Sequence, residues 1–165
     1  MQLVDIRVRN FRSVQAEQHV PIPGRMTLVG PNNSGKTNLL RALQVLFTGF
    51  ENEYGYTRNV DLTFGAGRAR TSIIATFNGN TADDADIYRE IDELHRLQGT
   101  ERAGTALPLT LYFTDTNTPV YSFFPNIKRP QSGAQSALYS RTHKNLVNRL
   151  LGGFSVHYVP DRKST

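Results

Sequence analysis

The sequence predicts an α/β phosphate-loop lobe: a mixed β-sheet with an antiparallel portion and flanking helices. Three observations carry this. Residues 30–37 read Gly-Pro-Asn-Asn-Ser-Gly-Lys-Thr, a complete G-x-x-x-x-G-K-[ST] pattern. The apolar run Met26-Thr27-Leu28-Val29 leads into it as a buried strand, and Asn38 to Phe47 leads out of it as a helix. Elsewhere, strict apolar alternation (Val4, Ile6, Val8, and again Leu107, Leu109, Leu111, Phe113) marks half-buried strands.

A strand, a glycine-rich turn and a helix in that order make a phosphate cradle. Backbone N–H groups of the turn converge on phosphate oxygens, and the helix adds the positive end of its dipole. Gly30 and Gly35 permit backbone angles and close approach that a Cβ would block. Lys36 reaches the β- and γ-phosphates as a point charge, and the Thr37 hydroxyl is placed to ligate Mg²⁺. The expected ATP contacts are therefore Gly30, Asn32, Asn33, Ser34, Gly35, Lys36, Thr37 and Asn38. Leu39, Leu40, Leu43, Leu46 and Phe47 are expected on the helix's buried face, with Gly49 as its cap.

Size and composition bound the rest. A chain of 165 residues is enough for one domain with a core, and 38% apolar with 20% charged residues places it among globular proteins. No long apolar run suggests a membrane span, and Asp5 and Arg7 interrupt any signal peptide. The absence of cysteine excludes disulfides and thiolate metal sites and fits a cytoplasmic protein. The net charge of +5 favours polyanionic partners such as DNA, although the basic residues are spread along the chain rather than gathered in one run.

In chain order, the first strand (Val4, Ile6, Val8) turns at Asn10-Phe11-Arg12-Ser13. Val14, Ala16, Val20 and Ile22 then suggest a second strand paired as a hairpin. Residues 50–70 have no clear period and contain Gly55, Gly65 and Gly67, so a mobile loop is expected between a 1–49 unit and the elements of 71–165. Thr71 to Phe77 is a strand. Asp84 to Gln98 is a helix capped from Thr81 to Asp83, its buried face marked by Ile87, Ile91, Leu94 and Leu97 or Gln98. Its many carboxylates read as a solvated face matched to the helix dipole rather than as a metal site. A hairpin over Leu107–Phe124, a helix over Ala137–Leu151 and a last strand over Phe154–Val159 complete the chain.

The N-terminal strand, the segment Arg9-Asn10-Phe11-Arg12-Ser13, the second strand and then Leu28-Val29-Gly30-Pro31-Asn32-Asn33-Ser34-Gly35-Lys36-Thr37-Asn38-Leu39-Leu40-Arg41-Ala42-Leu43 resemble the start of the ABC-type ATPases of the RecF, SMC and OLD (overcoming lysogenisation defect) group. The likeness is to the N-terminal part of that ATPase domain, and Tyr158-Val159-Pro160-Asp161-Arg162 is similar to an OLD strand. It implies that Arg12 and Ser13 approach the nucleotide, that ATP and Mg²⁺ are bound, and that two heads close on ATP as a homo-oligomer. It further implies DNA as a partner, in repair or defence against phage, or a scaffold that assembles with an effector protein.

Other parts of the group's machinery are not found. Leu150-Leu151-Gly152-Gly153 closes a helix rather than opening one, so it is not the signature loop. Asp161 lacks the adjacent carboxylate of a Walker B pair. No glutamine ends the Thr71–Phe77 strand; Asn78 or Asn80 stands in that region, where a plain turn is the simpler reading. No catalytic base is identified. The expectation is the N-terminal piece of a longer ATPase, weak in nucleotide binding and poor in hydrolysis by itself. A stand-alone kinase would need an acceptor-site base and a lid of arginines, neither visible here.

Overall fold

A computed structural model describes residues 1–31, 35–51, 55–67 and 69–157. The alternating segments form one sheet. Strands β1 (Gln2–Arg9), β2 (Gln18–Pro21), β3 (Ser72–Asn78), β4 (Ala106–Phe113) and β5 (Pro119–Ser122) lie in the order β2-β1-β3-β4-β5. Every ladder between them is antiparallel. The helices are α1 (Lys36–Phe47), α2 (Arg58–Asp61), α3 (Ala85–Gln98) and α4 (Gly133–Gly152). The expected α/β lobe with an antiparallel sheet and flanking helices is present.

Period-two alternation fixes which face is buried. Ile6 pairs with Ala75 and Val8 with Ile73, while Ala75 pairs with Leu109 and Ile73 with Leu111. All six are buried, and they belong to one core with Leu46 of α1, Leu94 of α3 and Leu146 of α4. A register shift between Leu3 and Asp5 turns Leu3 to the same side as Phe77. Aromatic pairs knit the layers: Tyr56 stacks on Phe113 at 3.7 Å between centroids, and the partly buried Phe47 meets Phe77 edge-on at 6.5 Å. The Tyr121 hydroxyl on β5 donates to the Leu46 carbonyl at the end of α1, 2.5 Å away. Burial pushes that phenol well up, so it remains a donor.

Several expectations are corrected. Met26–Val29 joins no ladder among the described residues, because no strand lies beside it to share hydrogen bonds. Val29 is 88% exposed. Likewise 154–157 forms no strand, and the rest of that expected strand lies outside the described residues. The buried face of α1 is Leu39, Ala42, Val45 and Leu46, whereas Leu40 is 43% exposed and Leu43 and Phe47 are only partly buried. Leu40, Leu43 and Phe47 instead line an apolar groove of about 610 Å³ with Leu28, Met26 and Phe154. The α1 cap is Thr48, and Gly49 follows it at φ +75°. The cap of α3 is Asp84 rather than 81–83; its carboxylate takes the Met1 ammonium at 3.1 Å and the Asn80 amide at 3.1 Å. Tyr88 joins Ile91, Leu94 and Leu97 on the buried face of α3. The helix α4 begins at Gly133, four residues earlier than its apolar period suggested.

Within 50–70, the described residues carry the short helix α2 and the buried Tyr56, where the sequence suggested no element. Arg12 and Asp61 hold α2 against the first turn, and the Tyr56 hydroxyl lies 2.6 Å from that of Thr71. No helix among the described residues is long and apolar enough to cross a membrane.

Candidate nucleotide site

Gly35 occupies the position before α1 at φ 87°, a left-handed angle that favours glycine. The chain can therefore turn sharply out of the loop and enter the helix at Lys36. The first α1 hydrogen bond returns from the Leu39 amide to the Gly35 carbonyl at 3.1 Å. The amides of Lys36, Thr37 and Asn38 precede it, and no side chain caps them. They form the unpaired positive end that a phosphate group would meet.

The Lys36 ammonium folds back and donates to the Gly30 carbonyl, joining the last part of the loop to its first residue. Lys36 is accordingly only half-exposed. Thr37 is exposed in the first turn of α1. Among the described residues no group of three or more His, Cys, Asp or Glu side chains gathers as a metal cage. The Thr37 hydroxyl is an oxygen donor of the kind a small hard cation such as Mg²⁺ accepts alongside phosphate and water oxygens. Asn32, Asn33 and Ser34 lie outside the described residues.

The first turn comes to the loop from the other side. The Asn38 amide donates to the Ser13 hydroxyl at 2.7 Å, and a Cβ placed on Gly35 would lie 3.9 Å from that hydroxyl. Ser13 is thus beside the loop, bridging the β1–β2 turn to α1. Arg12 is its neighbour and adopts φ 51°. Its guanidinium is held by the Asp61 carboxylate at 2.8 Å, and its amide donates to the Asp61 carbonyl at 2.7 Å. Asp61 is only 4% exposed and also accepts from the Thr57 amide at 2.9 Å. The carboxylate fixes Arg12 next to Ser13, so both residues suggested by resemblance stand on one rigid turn.

Asp61 was not legible as a partner. It lies 49 residues from Arg12, and the only local signal is Thr57 four positions ahead of a carboxylate, a spacing that closes one helical turn. Asn80 is used in the turn before α3, where its side chain accepts from the Ala82 amide at 2.9 Å. Asn78 ends β3 and is exposed. Gly152 and Gly153 end α4, as a closing pair should. Asp161 lies outside the described residues.

The profile of the AAA ATPase domain family matches residues 1–124. The DNA replication and repair protein RecF of Bifidobacterium longum subsp. infantis is 33% identical over 132 residues, which cover 79% of this chain and 30% of that protein. RecF of Anaeromyxobacter dehalogenans is 42% identical over 48 residues, 29% of this chain and 13% of that one. RecF of Shewanella baltica is 39% identical over 49 residues, 30% and 14% respectively. The chain spans less than a third of these curated relatives. A solved structure from work on ATP-driven dimerization and DNA-stimulated activation of SMC ATPases shares the fold, with a TM-score of 0.50 at 16% identity over 85% of this chain and 76% of that one.

Proposed function

This chain belongs to the AAA ATPase domain family and is of the RecF/SMC type, and from that premise we propose that it is the nucleotide-binding part of a DNA-acting ATPase. The observation that carries the reading is the turn at Gly35. There a left-handed glycine opens α1, and the first residues of the helix are Lys36 and Thr37, with no side-chain cap among the described residues. Such a place suits a triphosphate with its Mg²⁺. In this role Lys36 moves from the Gly30 carbonyl to the β- and γ-phosphates, exchanging a neutral acceptor for a charged one. Ser13 and Arg12 form the wall beside the loop and orient the nucleotide. Mg²⁺, when bound, would neutralise charge on the β- and γ-phosphates, with Thr37 holding it on the protein side.

The catalytic base and the signature loop are supplied from outside the described residues. The apolar groove beside α1 supports this. Its rim carries residues 26–28 and 154–157, which enter no ladder among the described residues. Further strands of the same ATPase fold would pair with them and bury Leu40, Leu43 and Met26. The parent acts in DNA repair or, as in OLD-like proteins, in defence against phage. Two heads closing on ATP couple nucleotide to DNA, with in-line attack of water on the γ-phosphate driving release.

Titration with a fluorescent ATP analogue and Mg²⁺ tests the site. Lys36→Ala should abolish measurable binding while the domain stays folded, its stability lowered by no more than the lost hydrogen bond to Gly30, about 1 kcal/mol. Unchanged affinity in that variant would overturn the reading.

A further inference from the structure

We propose that the open face of the antiparallel sheet binds the phosphate backbone of DNA. The inference rests on the DNA-acting reading above and assigns a surface to it.

The sheet face that carries Ile6, Val8, Ile73, Ala75, Leu109 and Leu111 shares one core with the helices. The ladder registers decide what the other side carries. Arg7 pairs with Ile74, Ile74 with Thr110, and Thr110 with Ser122, so these four residues form one row, exposed at Arg7 on β1, half-buried at Ile74 and Ser122 and buried at Thr110. Arg9 pairs with Ser72, and Ser72 with Tyr112, which makes the next row. Arg70 precedes β3 and lays its guanidinium over the Tyr112 ring, 5.5 Å from the centroid. Arg70 thus joins Arg7 and Arg9 of β1 on one surface, with Ser72 and Tyr112 in the row beside Arg9.

Arg7 and Arg9 are exposed, and neither forms an ion pair with any described residue. Alternate residues of a strand stand about 6.8 Å apart on the same face. Two guanidiniums at that repeat present a linear array of donors. The carboxylate of Asp5 shares this face, 3.4 Å from the His19 ring, and leaves the three arginines in excess. Glu17 is exposed at the rim, just before β2. The face is therefore a cationic, hydroxyl-bearing plane, complementary to a polyanion.

The geometry also selects the mode of contact. The Tyr112 ring is covered by Arg70, so it is not free to stack a base. Guanidiniums and hydroxyls reach phosphate oxygens without reading sequence. Backbone recognition with strong salt dependence follows.

The test is fluorescence anisotropy of the whole chain with a labelled DNA duplex and with the matching single strand, from low to physiological salt. The variant is Arg7→Ala/Arg9→Ala/Arg70→Ala. Its affinity for the bound form should fall at least about tenfold, and for duplex the slope of log affinity against log salt should fall by about 2.7. The Arg→Lys triple variant should restore most of the binding, since a phosphate accepts a point charge. A control of equal charge, Lys128→Ala/Arg129→Ala/Arg141→Ala, should bind as the parent does. Thermal melting shows whether each variant is folded; if the alanine triple unfolds, Arg7→Gln/Arg9→Gln carries the test with the same expected direction. Parental affinity in the sheet variants, or an equal loss in the control, would overturn the assignment of this face and leave the DNA-acting reading standing. Failure of the unmodified chain to bind either DNA would remove that reading, and this inference with it.

Discussion

Helix α1 has two apolar flanks, and they meet opposite surroundings. One flank (Leu39, Ala42, Val45, Leu46) is buried against the antiparallel sheet, and Tyr121 ties its end to β5. The other (Leu40, Leu43, Phe47) faces a groove bordered by the segment before the phosphate loop. A helix apolar on both sides is built to lie between two layers. Only one of those layers is present among the described residues. The difference shows that one flank of α1 belongs to the core shared with the sheet, while the other lines an open groove.

Unequal mutational cost across α1 sharpens this comparison most. Leu46 has no exposed surface, so Leu46→Ala should destabilise the chain by about 3 kcal/mol, read from the midpoint of urea unfolding. Leu40→Ala on the groove side should stay within about 0.5 kcal/mol, as for a surface substitution. Equal losses would erase the distinction between the flanks.

Between these extremes lies the turn that braces the loop. Asp61→Ala would leave the Arg12 guanidinium and the Thr57 amide without their acceptor. A loss of about 1–3 kcal/mol is expected, together with weaker nucleotide binding as the turn beside Ser13 loosens. Full ATP affinity in that variant would detach the turn from the site.

The smallest effect is pH dependence of the core side. His143 is buried on α4, where its Nε2 faces the Tyr121 carbonyl at 2.9 Å. Burial pulls its pKa below the ordinary histidine value of 6.5, against the opposing pull of that carbonyl. His95 is shifted the same way by desolvation. The unfolded chain then holds more protons just below pH 6.5, so stability rises with pH in that window. Melting temperature should be steady above pH 7 and fall as acid is added toward pH 5. His143→Gln keeps a donor for Tyr121 and should flatten that fall. An identical pH profile in the variant would place the titration elsewhere.

Much of this was legible in the residues. Alternation at Val4-Ile6-Val8 and at Leu107–Phe113 marks β1 and β4 because one face of each is dry and the other wet. The spacing of Ile91, Leu94 and Leu97 marks α3 for the same reason. Glycine, lysine and threonine at 35–37 announce the cradle through chemistry that few other residues supply. What was not legible depends on partners distant in sequence. Met26–Val29 has the composition of a strand, but strand formation needs a neighbour, and composition does not supply one. Leu40 and Leu46 are the same residue type on the same helix, and only the sheet separates them. Arg12 finds Asp61, and Arg70 finds Tyr112, through ladders and turns that no local period encodes. Hence the basic residues looked scattered along the chain, whereas three of them share one face.

The most direct measurement is backbone amide NMR of the whole chain during titration with ATPγS and Mg²⁺. The resonances of Gly35, Lys36, Thr37 and Asn38 should move first and furthest, with Ser13 following and the Arg7 and Ser72 amides of the open sheet face still. Shifts centred anywhere else, with those of 35–38 unmoved at saturation, would contradict a phosphate cradle at the head of α1.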